Sequence, residues 1–546
     1  MPISFLFERD GEDRDGHGVG RRQRKMCIRN SVDTACVEEV GIPMIVLMEN
    51  AVISAMKNMD IDMYNSYTVV CGVGNNGGDG LGIARHLNTY GKEVNVFLVG
   101  NLEKLSECSK INYNVLLNMG INIININKND LSEKNYGEEN EVDKIIKVEK
   151  QNIIKNKNLT IFKDRVSKSD VVVDAIFGTG LKRDITGIFK EVIDIVNDNS
   201  KNTYSIDIPS GIDSDNGNVL GTCIRANKTI SFEFYKRGFL NYDTSALIGD
   251  VVVEKIGVPD FITRKYHDEE FITDKTFVKN NIRRRDKHGF KSDFGKVSIV
   301  AGSKGFYGAS FIATESAVKS GSGLVTLISS EDVQEKVSIR LTEAMTLNFE
   351  EERLNKLLNS SDAIGFGPGM GDNSQTFDKL LKIVENSNCP IVLDADGLNV
   401  MKDRCYKFLE WKNRFVITPH LGEMARLTGD SIGYIREHRV DVAKEFAQKY
   451  NLVVLLKGYQ TVITDGKKTY INPTGNSCMA TGGMGDCLLG MITSFIGQGM
   501  DILEATVSGA YIHGYIGDKL SKAMYTVNAT DLISNISLTM KELLDI

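Results

Sequence analysis

Short apolar runs that end in glycine or in a small polar residue recur along this chain, and helical spacing follows many of them. Residues 66–72 (SYTVVCG) are one example, because Leu81, Ala84 and Leu87 then recur every three or four positions. Further runs of this kind occupy residues 93–100, 169–177, 203–213, 296–302, 324–328, 363–371, 390–397, 415–420 and 453–458. Such runs are typical of buried parallel strands, and their alternation with helices predicts α/β folds with doubly wound, three-layer sheets.

The length of the chain indicates more than one domain. At 546 residues it exceeds what one hydrophobic core usually organises. We predict a disordered tail at 1–26, a first domain at 27–262, a linker at 263–279 and a second domain at 280–546. The first domain contains a stretch at about 122–168 that is rich in Asn, Lys and Glu. Because that composition cannot bury a core, we interpret it as a polar insertion.

Composition excludes several classes of protein. A net charge of −7 and a pI near 5.7 give no electrostatic reason to expect a nucleic-acid or membrane partner. No run of 18 apolar residues is present, so we expect no transmembrane helix. The nine cysteines are scattered without a CxxC pair, which argues against a zinc site or a disulfide framework and favours a cytoplasmic location. We expect a homo-oligomer, although the sequence does not fix the number of subunits.

The strand at 66–72 leads into a glycine-rich loop that formally contains GxGxxG, at Gly72, Gly74 and Gly77. A dinucleotide-binding site of the dehydrogenase type would also require an acidic residue at the end of the next strand. That strand ends in Gly100-Asn101 instead. The motif is therefore weak evidence for a hydride-transferring enzyme.

Polar side chains lie in or just after three of the predicted strands in the first domain. They are Asn76, Asp174, Asp207 and Ser210. The carboxyl edge of an open α/β sheet is where ligands bind, so we expect these residues to form a site. Their donors are all oxygen atoms, which suits a hard cation rather than a transition metal. The alternative is that the carboxylates only cap helices and turns.

Four ordered motifs in the first half carry a family resemblance. They are MENA at 48–51, GNNGGDG at 74–80, DAIFGTGL at 174–181 and DIPSGID at 207–213. Together they resemble the NAD(P)H-hydrate epimerase domain. The resemblance implies a Rossmann-like fold that binds hydrated NADH or NADPH without hydride transfer.

The same resemblance implies roles for individual residues. It implies a potassium ion held by Asn76, Asp174 and Ser210, and Asp207 as the catalytic acid/base that inverts the hydroxyl-bearing carbon. The substrate contacts that it implies are Asn75, Asn76, Gly77, Gly78, Asp79, Gly178, Thr179, Gly180, Leu181, Lys182, Arg183, Asp184 and Asp207.

In the second half, residues 472–490 form a glycine-rich loop that leads into an apolar helix. Backbone N–H groups at a helix N-terminus lack intrahelical partners and favour an anion, and glycines allow a phosphate to approach them. Asp486 ends this loop and could take a proton from an attacking hydroxyl in phosphoryl transfer. Alternatively, the glycines serve close packing and Asp486 is only an acidic residue of the first helical turn.

Five motifs of the second half carry a second resemblance. They are GPGMG at 367–371, DADGLN at 394–399, TPHLGE at 418–423, LKG at 456–458 and TGGMGD at 481–486. Together they resemble the nucleotide-dependent NAD(P)H-hydrate dehydratase, a ribokinase-like fold. The resemblance implies phosphorylation of the substrate hydroxyl, followed by loss of phosphate to restore the nicotinamide double bond.

This second resemblance also implies site residues. Asp486 would be catalytic, and the hydrate would contact Ala309, Gly369, His420 and Asp486. The nucleotide would contact Lys457, Gly458, Tyr459, Gln460, Thr461, Gly482, Gly483 and Gly485. Mg²⁺ should accompany the nucleotide, and the form of the 476–486 segment implies ADP rather than ATP. Without the motif context, His420 would be interpreted as a capping or core histidine and Lys457 as a surface residue.

We therefore predict a fused repair enzyme that epimerises hydrated NADH and NADPH and dehydrates the S epimer. Two alternatives stay open at this point. One is a ribokinase-like small-molecule kinase with a regulatory N-terminal domain, and the other is a non-catalytic nucleotide-binding or scaffold protein.

Overall fold

A computed structural model describes residues 24–27, 30–126, 156–265, 267–412 and 414–545 of the chain. Its strands are, in chain order, β1 (Arg24–Cys27), β2 (Ser66–Cys71), β3 (Glu93–Val99), β4 (Ile123–Ile126), β5 (Val171–Ala175), β6 (Thr203–Ile206), β7 (Lys228–Phe232), β8 (Asp250–Glu254), β9 (His267–Ile272), β10 (Lys296–Val300), β11 (Leu324–Ile328), β12 (Met345–Leu347), β13 (Ala363–Phe366), β14 (Ile391–Leu393), β15 (Phe415–Ile417), β16 (Val453–Leu456), β17 (Thr461–Thr464) and β18 (Thr469–Asn472).

The helices alternate with these strands. They are α1 (Asn30–Ala35), α2 (Met44–Met56), α3 (Asn75–Thr89), α4 (Glu107–Asn118), α5 (156–168), α6 (Ile188–Asn199), α7 (Ser245–Ile248), α8 (Asp260–Lys265), α9 (Lys275–Asn281), α10 (Tyr307–Lys319), α11 (Glu331–Val337), α12 (Leu354–Ser360), α13 (Ser374–Glu385), α14 (Asp396–Asn399), α15 (Lys407–Glu410), α16 (Leu421–Thr428), α17 (Ile432–Glu437), α18 (Arg439–Tyr450), α19 (Met484–Gly497), α20 (Ile502–Leu520) and α21 (Ala529–Asp545). In the described part of the chain, no helix is both long and apolar enough to cross a membrane.

The first sheet is parallel throughout, with strand order β4-β3-β2-β5-β6-β7-β8. Successive residues of its strands face opposite helical layers, as the period of two in a strand requires. Val69 packs into the apolar cluster on one face, whereas Val70 packs into the cluster on the other. The sheet is therefore the middle of three layers, which confirms the predicted doubly wound architecture.

The second sheet has the order β1-β9-β18-β17-β16-β15-β14-β13-β10-β11-β12. Its centre, from β16 to β12, is parallel, while β17 pairs antiparallel with both β16 and β18. Its faces are also both covered, because Ile299 and Val300 point into different apolar clusters. The α/β class that was predicted for the second half is thus confirmed as well.

Three predicted segments differ from their expected form where the structure describes them. Of the predicted tail at 1–26, residues 1–23 lie outside the described residues, and residues 24–26 belong to β1. Residues 127–155 of the polar insertion also lie outside them. At its two ends, Ile126 belongs to β4, and Phe162 and Val166 of α5 are buried, so these apolar side chains join the core instead of the insertion.

The predicted linker at 263–279 contains regular structure. Its strand β9 pairs with β18, and Phe271 and Ile272 are buried in the two apolar clusters that cover the faces of the second sheet. The two domains are in contact beside this strand. The Arg237 side chain donates to the buried Glu270 carboxylate, and the Gln460 Nε2 atom donates to the Tyr235 hydroxyl at 2.8 Å. The segment between the domains is therefore fixed by packing.

Candidate active sites

A cavity of about 670 Å³ opens at the carboxyl edge of the first sheet. The residues that line it include ten of those predicted to hold substrate, namely Asn75, Asn76, Asp79, Gly178, Thr179, Gly180, Leu181, Lys182, Arg183 and Asp207. Apolar side chains from α2, such as Leu47 and Met48, form another part of its lining. Residues that are distant in sequence thus meet around one space of the size that a small-molecule ligand needs.

Three of the residues predicted to contact the substrate do not line this cavity. A Cβ atom at Gly77 would lie 1.9 Å from the Gly72 carbonyl oxygen, and one at Gly78 would lie 2.7 Å from Met48 Cε. These two glycines are therefore required by the close packing of α3 against its neighbours. Asp184 is exposed to solvent.

The GNNGGDG motif forms the first turn of α3, which begins at Asn75 with Gly74 as its N-cap. The backbone N–H groups of this turn have no intrahelical partner and can bind an anionic group of a ligand. Asn76 is buried, and neither its Oδ1 nor its Nδ2 atom has a hydrogen-bond partner. A buried amide without partners costs free energy, so this side chain is suited to a ligand.

Asp174 at the end of β5 is the centre of a buried hydrogen-bond network. Its carboxylate accepts from the Ser210 hydroxyl at 2.6 Å, from the Ser210 N–H at 2.9 Å and from the Ser205 hydroxyl at 2.8 Å. Burial raises the pKa of Asp174, although these donors oppose the shift. Ser210 Oγ also accepts from the Phe177 N–H at 2.9 Å, which connects this network to the cavity wall.

Asp207 follows β6 and is 1% exposed. Its backbone has a φ of 69°, a strained conformation for a residue with a side chain. A Cβ atom at Gly178 would lie 3.3 Å from Asp207 Oδ2 and 3.4 Å from Asn76 Cβ, so both side chains meet beside that glycine. On its other side, Asp207 Oδ1 lies 3.2 Å from Nζ of Lys236, which is itself buried. The sequence reasoning missed Lys236, although it comes soon after a buried strand, as the other site residues do.

The second domain brings two strand ends and the first turns of two helices together. Lys457, directly after β16, places Nζ 2.7 Å from Oδ1 of Asp394, directly after β14. Nζ also lies 3.8 Å from Glu423 of α16. A Cβ atom at Gly485 would lie 3.0 Å from Asp394 Oδ2 and 3.3 Å from Lys457 Nζ, which places the N-terminus of α19 directly above the ion pair.

Asp486 lies in the first turn of α19. Its pKa is raised to about 7 by burial and by the negative charge of Asp394, while Lys457 partly opposes the shift and Asp396 adds to it. A carboxylate with this value can both take up and release a proton near neutral pH, as a general base or acid must.

Lys457 stays charged in this setting. Burial alone would lower the pKa of its ammonium group, but the neighbouring carboxylates, Asp394 foremost and then Glu423, raise it above its usual value. The group is therefore a fixed positive charge beside the helix N-terminus. In the sequence, Asp394 and Glu423 were recognised only as parts of motifs. Their positions, within the predicted strand at 390–397 and soon after the one at 415–420, were the signal that could have identified them as site residues.

His420 caps α16, because its Nδ1 atom accepts from the N–H groups of Gly422 at 2.9 Å and Glu423 at 3.3 Å. Burial and the positive charge of Lys457 lower the pKa of the imidazole. The ring is half-exposed, and its Nε2 atom lies 3.6 Å from Glu423 Oε1. Of the other predicted contacts, Ala309 and Gly369 adjoin each other, since a Cβ atom at Gly369 would lie 3.2 Å from Ala309 Cβ.

The residues from Lys457 to Thr461, which are predicted to bind the nucleotide, differ in their exposure to solvent. Tyr459 is 48% exposed, whereas Gln460 is buried and directed at the first domain. Arg439 donates to the carbonyl oxygens of both Tyr459 and Gln460 and holds the segment in place. In the glycine loop, Gly483 caps α19 with a φ of 91°, and a Cβ atom at Gly482 would meet nothing within 4 Å.

No group of three or more His, Cys, Asp or Glu side chains in the described residues is arranged to hold a metal ion. Where the structure describes cysteine side chains, no disulfide bond joins them.

Comparison with known families assigns a different model to each half. Residues 297–538 match the model described as NAD(P)H-hydrate dehydratase, and residues 44–238 match the model of the YjeF-related protein N-terminus. Both matches lie within the two domains described above.

Similar proteins extend over most of the chain. A bifunctional NAD(P)H-hydrate repair enzyme of Thermofilum pendens is 35% identical over 502 residues, which are 89% of this chain and 90% of that protein. The enzyme of the same name from Moorella thermoacetica is 32% identical and covers 94% of this chain and 95% of its own length. A solved ribokinase-like superfamily protein from Enterococcus faecalis is 28% identical, covers 52% of this chain and 99% of its own, and has a TM-score of 0.48.

Proposed function

The chain belongs to the family of bifunctional NAD(P)H-hydrate repair enzymes, and we propose that each of its two sites performs one of the two reactions. The first cavity epimerises the R and S forms of hydrated NADH and NADPH. The second site dehydrates the S form to NADH or NADPH at the expense of ADP. Two carboxylates, the buried Asp207 and the partly buried Asp486, serve as the catalytic groups.

In the first site, Asp207 exchanges a proton with the hydrate while the hydroxyl-bearing carbon is inverted. The support is geometric, since Asp207 lines the cavity and its Oδ2 atom lies beside Gly178 in the opposite loop. The loop from Gly178 to Arg183 and the first turn of α3 hold the rest of the dinucleotide. Lys182 lies on the rim, where it already forms an ion pair with Asp215 at 2.6 Å.

The three residues that were predicted to hold potassium offer donor atoms that fit that ion. Asn76 offers a buried amide oxygen without a hydrogen-bond partner, and Asp174 and Ser210 add a carboxylate and a hydroxyl oxygen. The donors are all oxygen atoms, which suit a hard cation. When bound, potassium supplies positive charge that orders this end of the cavity and attracts polar oxygens of the substrate. Asn76 then gains the partner that it lacks within the chain.

In the second site, Asp486 takes the proton from the substrate hydroxyl as its oxygen attacks the terminal phosphorus of the nucleotide. ADP is converted to AMP, and the hydroxyl becomes a phosphate ester. The C–O bond then breaks, the electron pair leaves with phosphate, and loss of a proton from the nicotinamide ring restores its double bond. The pKa of Asp486, raised to about 7, supports its role as the acceptor of that first proton.

The phosphates are held by the N-terminus of α19 and by Lys457. Gly482 leaves room for an anion there, since a Cβ atom at that position would meet nothing within 4 Å, and the Lys457 ammonium group adds a fixed positive charge. Magnesium, when bound, neutralises the phosphate charge. Asp394 and Asp396, the carboxylates whose charge acts on Asp486, are the residues that would hold such an ion. We propose ADP as the preferred nucleotide.

The observation that carries this proposal is the position of Asp486 at the N-terminus of a buried helix, directly above the Lys457–Asp394 ion pair. The test incubates the purified full-length protein with a mixture of R and S hydrates of NADH, with ADP, ATP or no nucleotide, in potassium or sodium salts. Recovery of the reduced-nicotinamide absorbance band measures repair.

Wild-type protein should recover both epimers with ADP, and more slowly when potassium is absent. Asp486→Asn should abolish recovery of both epimers. Asp207→Asn should still repair the S form while it leaves the R form at the rate of the enzyme-free control. If no nucleotide restores the band in wild type, the proposal fails and a ribokinase-like kinase of other specificity takes its place.

A further inference from the structure

Lys236 is a fully buried lysine in the first domain, with 2% of its side chain exposed. Three oxygen atoms surround its ammonium group. Nζ donates to the Phe232 carbonyl at 2.8 Å and to the Phe234 carbonyl at 3.2 Å, and it lies 3.2 Å from Asp207 Oδ1. An ammonium group has three N–H donors, so this geometry fixes its position tightly.

The chain builds this environment with a strained turn after β7. Glu233 has a φ of 58°, and the Phe234 N–H donates to the Phe232 carbonyl at 2.7 Å. The Ser231 hydroxyl donates to the Phe234 carbonyl at 3.1 Å and stabilises the turn. The two carbonyl oxygens therefore converge on the same point, and Nζ occupies it.

Burial of a lysine is costly unless an opposite charge compensates it. Here the compensating charge is a carboxylate with a proposed chemical role. Asp207 uses Oδ1 for the ion pair, while Oδ2 lies on the side of Gly178 in the cavity wall. Its backbone is fixed as well, because its N–H donates to the Ile230 carbonyl at 2.7 Å. The carboxylate thus lies between the ammonium group and the cavity.

We infer that Lys236 is a positioning residue for the epimerase reaction, which holds Asp207 with one carboxylate oxygen directed at the substrate carbon. The inference rests on the proposed epimerase function. Lys236 lies behind Asp207 and is not among the residues that line the cavity. It therefore acts through Asp207, and its loss should impair the proton transfer more than the binding of the hydrate.

The test uses the full-length protein and measures turnover of the R and S hydrates separately, with ADP and magnesium present. Lys236→Met removes the charge and keeps the volume. We expect kcat for the R form to fall on the order of 100-fold, as for loss of a positioned general acid or base, with KM within about twofold of wild type. Turnover of the S form depends only on the second site and should not change.

Lys236→Gln is the second variant, because its amide retains donors for the two carbonyl groups and preserves the turn if Lys236→Met does not fold. Lys228→Met is the matched control. It breaks a different ion pair of the same domain, with Asp60 at 2.6 Å, away from the cavity. It should leave both rates unchanged.

The outcomes separate the inference from the proposed function. If wild type does not use the R form at all, the epimerase proposal itself fails. If wild type uses it, and a folded Lys236 variant retains its R-form kcat within threefold or changes only KM, Lys236 is not a positioning residue. Selective loss of R-form kcat, with S-form turnover intact and Lys228→Met normal, supports the inference.

Discussion

Replacement of Asp486 by asparagine should inactivate the second site and at the same time stabilise the protein above neutral pH. The carboxyl group has a pKa of about 7 in the folded chain against 3.8 in a model compound. The largest cause is burial, and the negative charge of Asp394 adds to it. The ionised form of Asp486 is thus less favourable in the folded state than in the unfolded state. Asparagine has nearly the same shape and never carries that charge.

The size and sign of the effect follow from the linkage between proton binding and folding. Since the folded state binds the proton more tightly, the free energy of unfolding of wild type falls as the pH rises from about 4 to about 7 and then stays lower. A change of one in pKa corresponds to about 1.4 kcal/mol, so the upper limit is about 4 kcal/mol. Asp486 is only partly buried, and we therefore expect about 1–3 kcal/mol after solvent screening.

Urea denaturation of wild type and Asp486→Asn at pH 4.5 and pH 8 measures this difference. The two proteins should be close in stability at the lower pH, and the variant should be more stable at the higher pH. Asp378→Asn is the control, because Asp378 is an exposed residue of α13 in the same domain. A variant that is less stable than wild type at pH 8, or a difference that does not depend on pH, would refute the electrostatic reasoning.

Two further predictions concern the neighbours of the catalytic carboxylates. Lys457→Met leaves Asp394, which is 2% exposed, without its ion-pair partner; we expect about 2–3 kcal/mol lower stability in urea and no nucleotide-dependent repair. An unchanged urea midpoint would show that the pair contributes nothing. Gly178→Ala places a Cβ atom 3.3 Å from Asp207 Oδ2, so R-form turnover should fall about 10-fold while S-form turnover stays constant. Equal loss of both rates would contradict a local effect at the first cavity.

Much of the architecture could be predicted because it depends on local patterns. The period of two within apolar runs, the glycines after them and the helical spacing beyond define βα units without knowledge of long-range contacts. The same logic placed Asn76, Asp174 and Asp207 at one edge of a sheet, since parallel strands in such units share that edge. Asp486 was identifiable because a glycine-rich loop directly before a helix is a local feature.

The tertiary structure decided which distant side chains meet. The spacing of the sequence does not pair Lys236 with Asp207 or direct Gln460 at Tyr235, and it suggested a linker where β9 joins the second sheet. Those contacts depend on how whole elements pack, and packing is set by the summed burial of many side chains instead of by any short pattern. The sequence by itself therefore determined the elements and the edges where chemistry occurs. Only the folded chain determined the buried charges behind each catalytic carboxylate, because opposite charges tens of residues apart are brought together there at less than 4 Å.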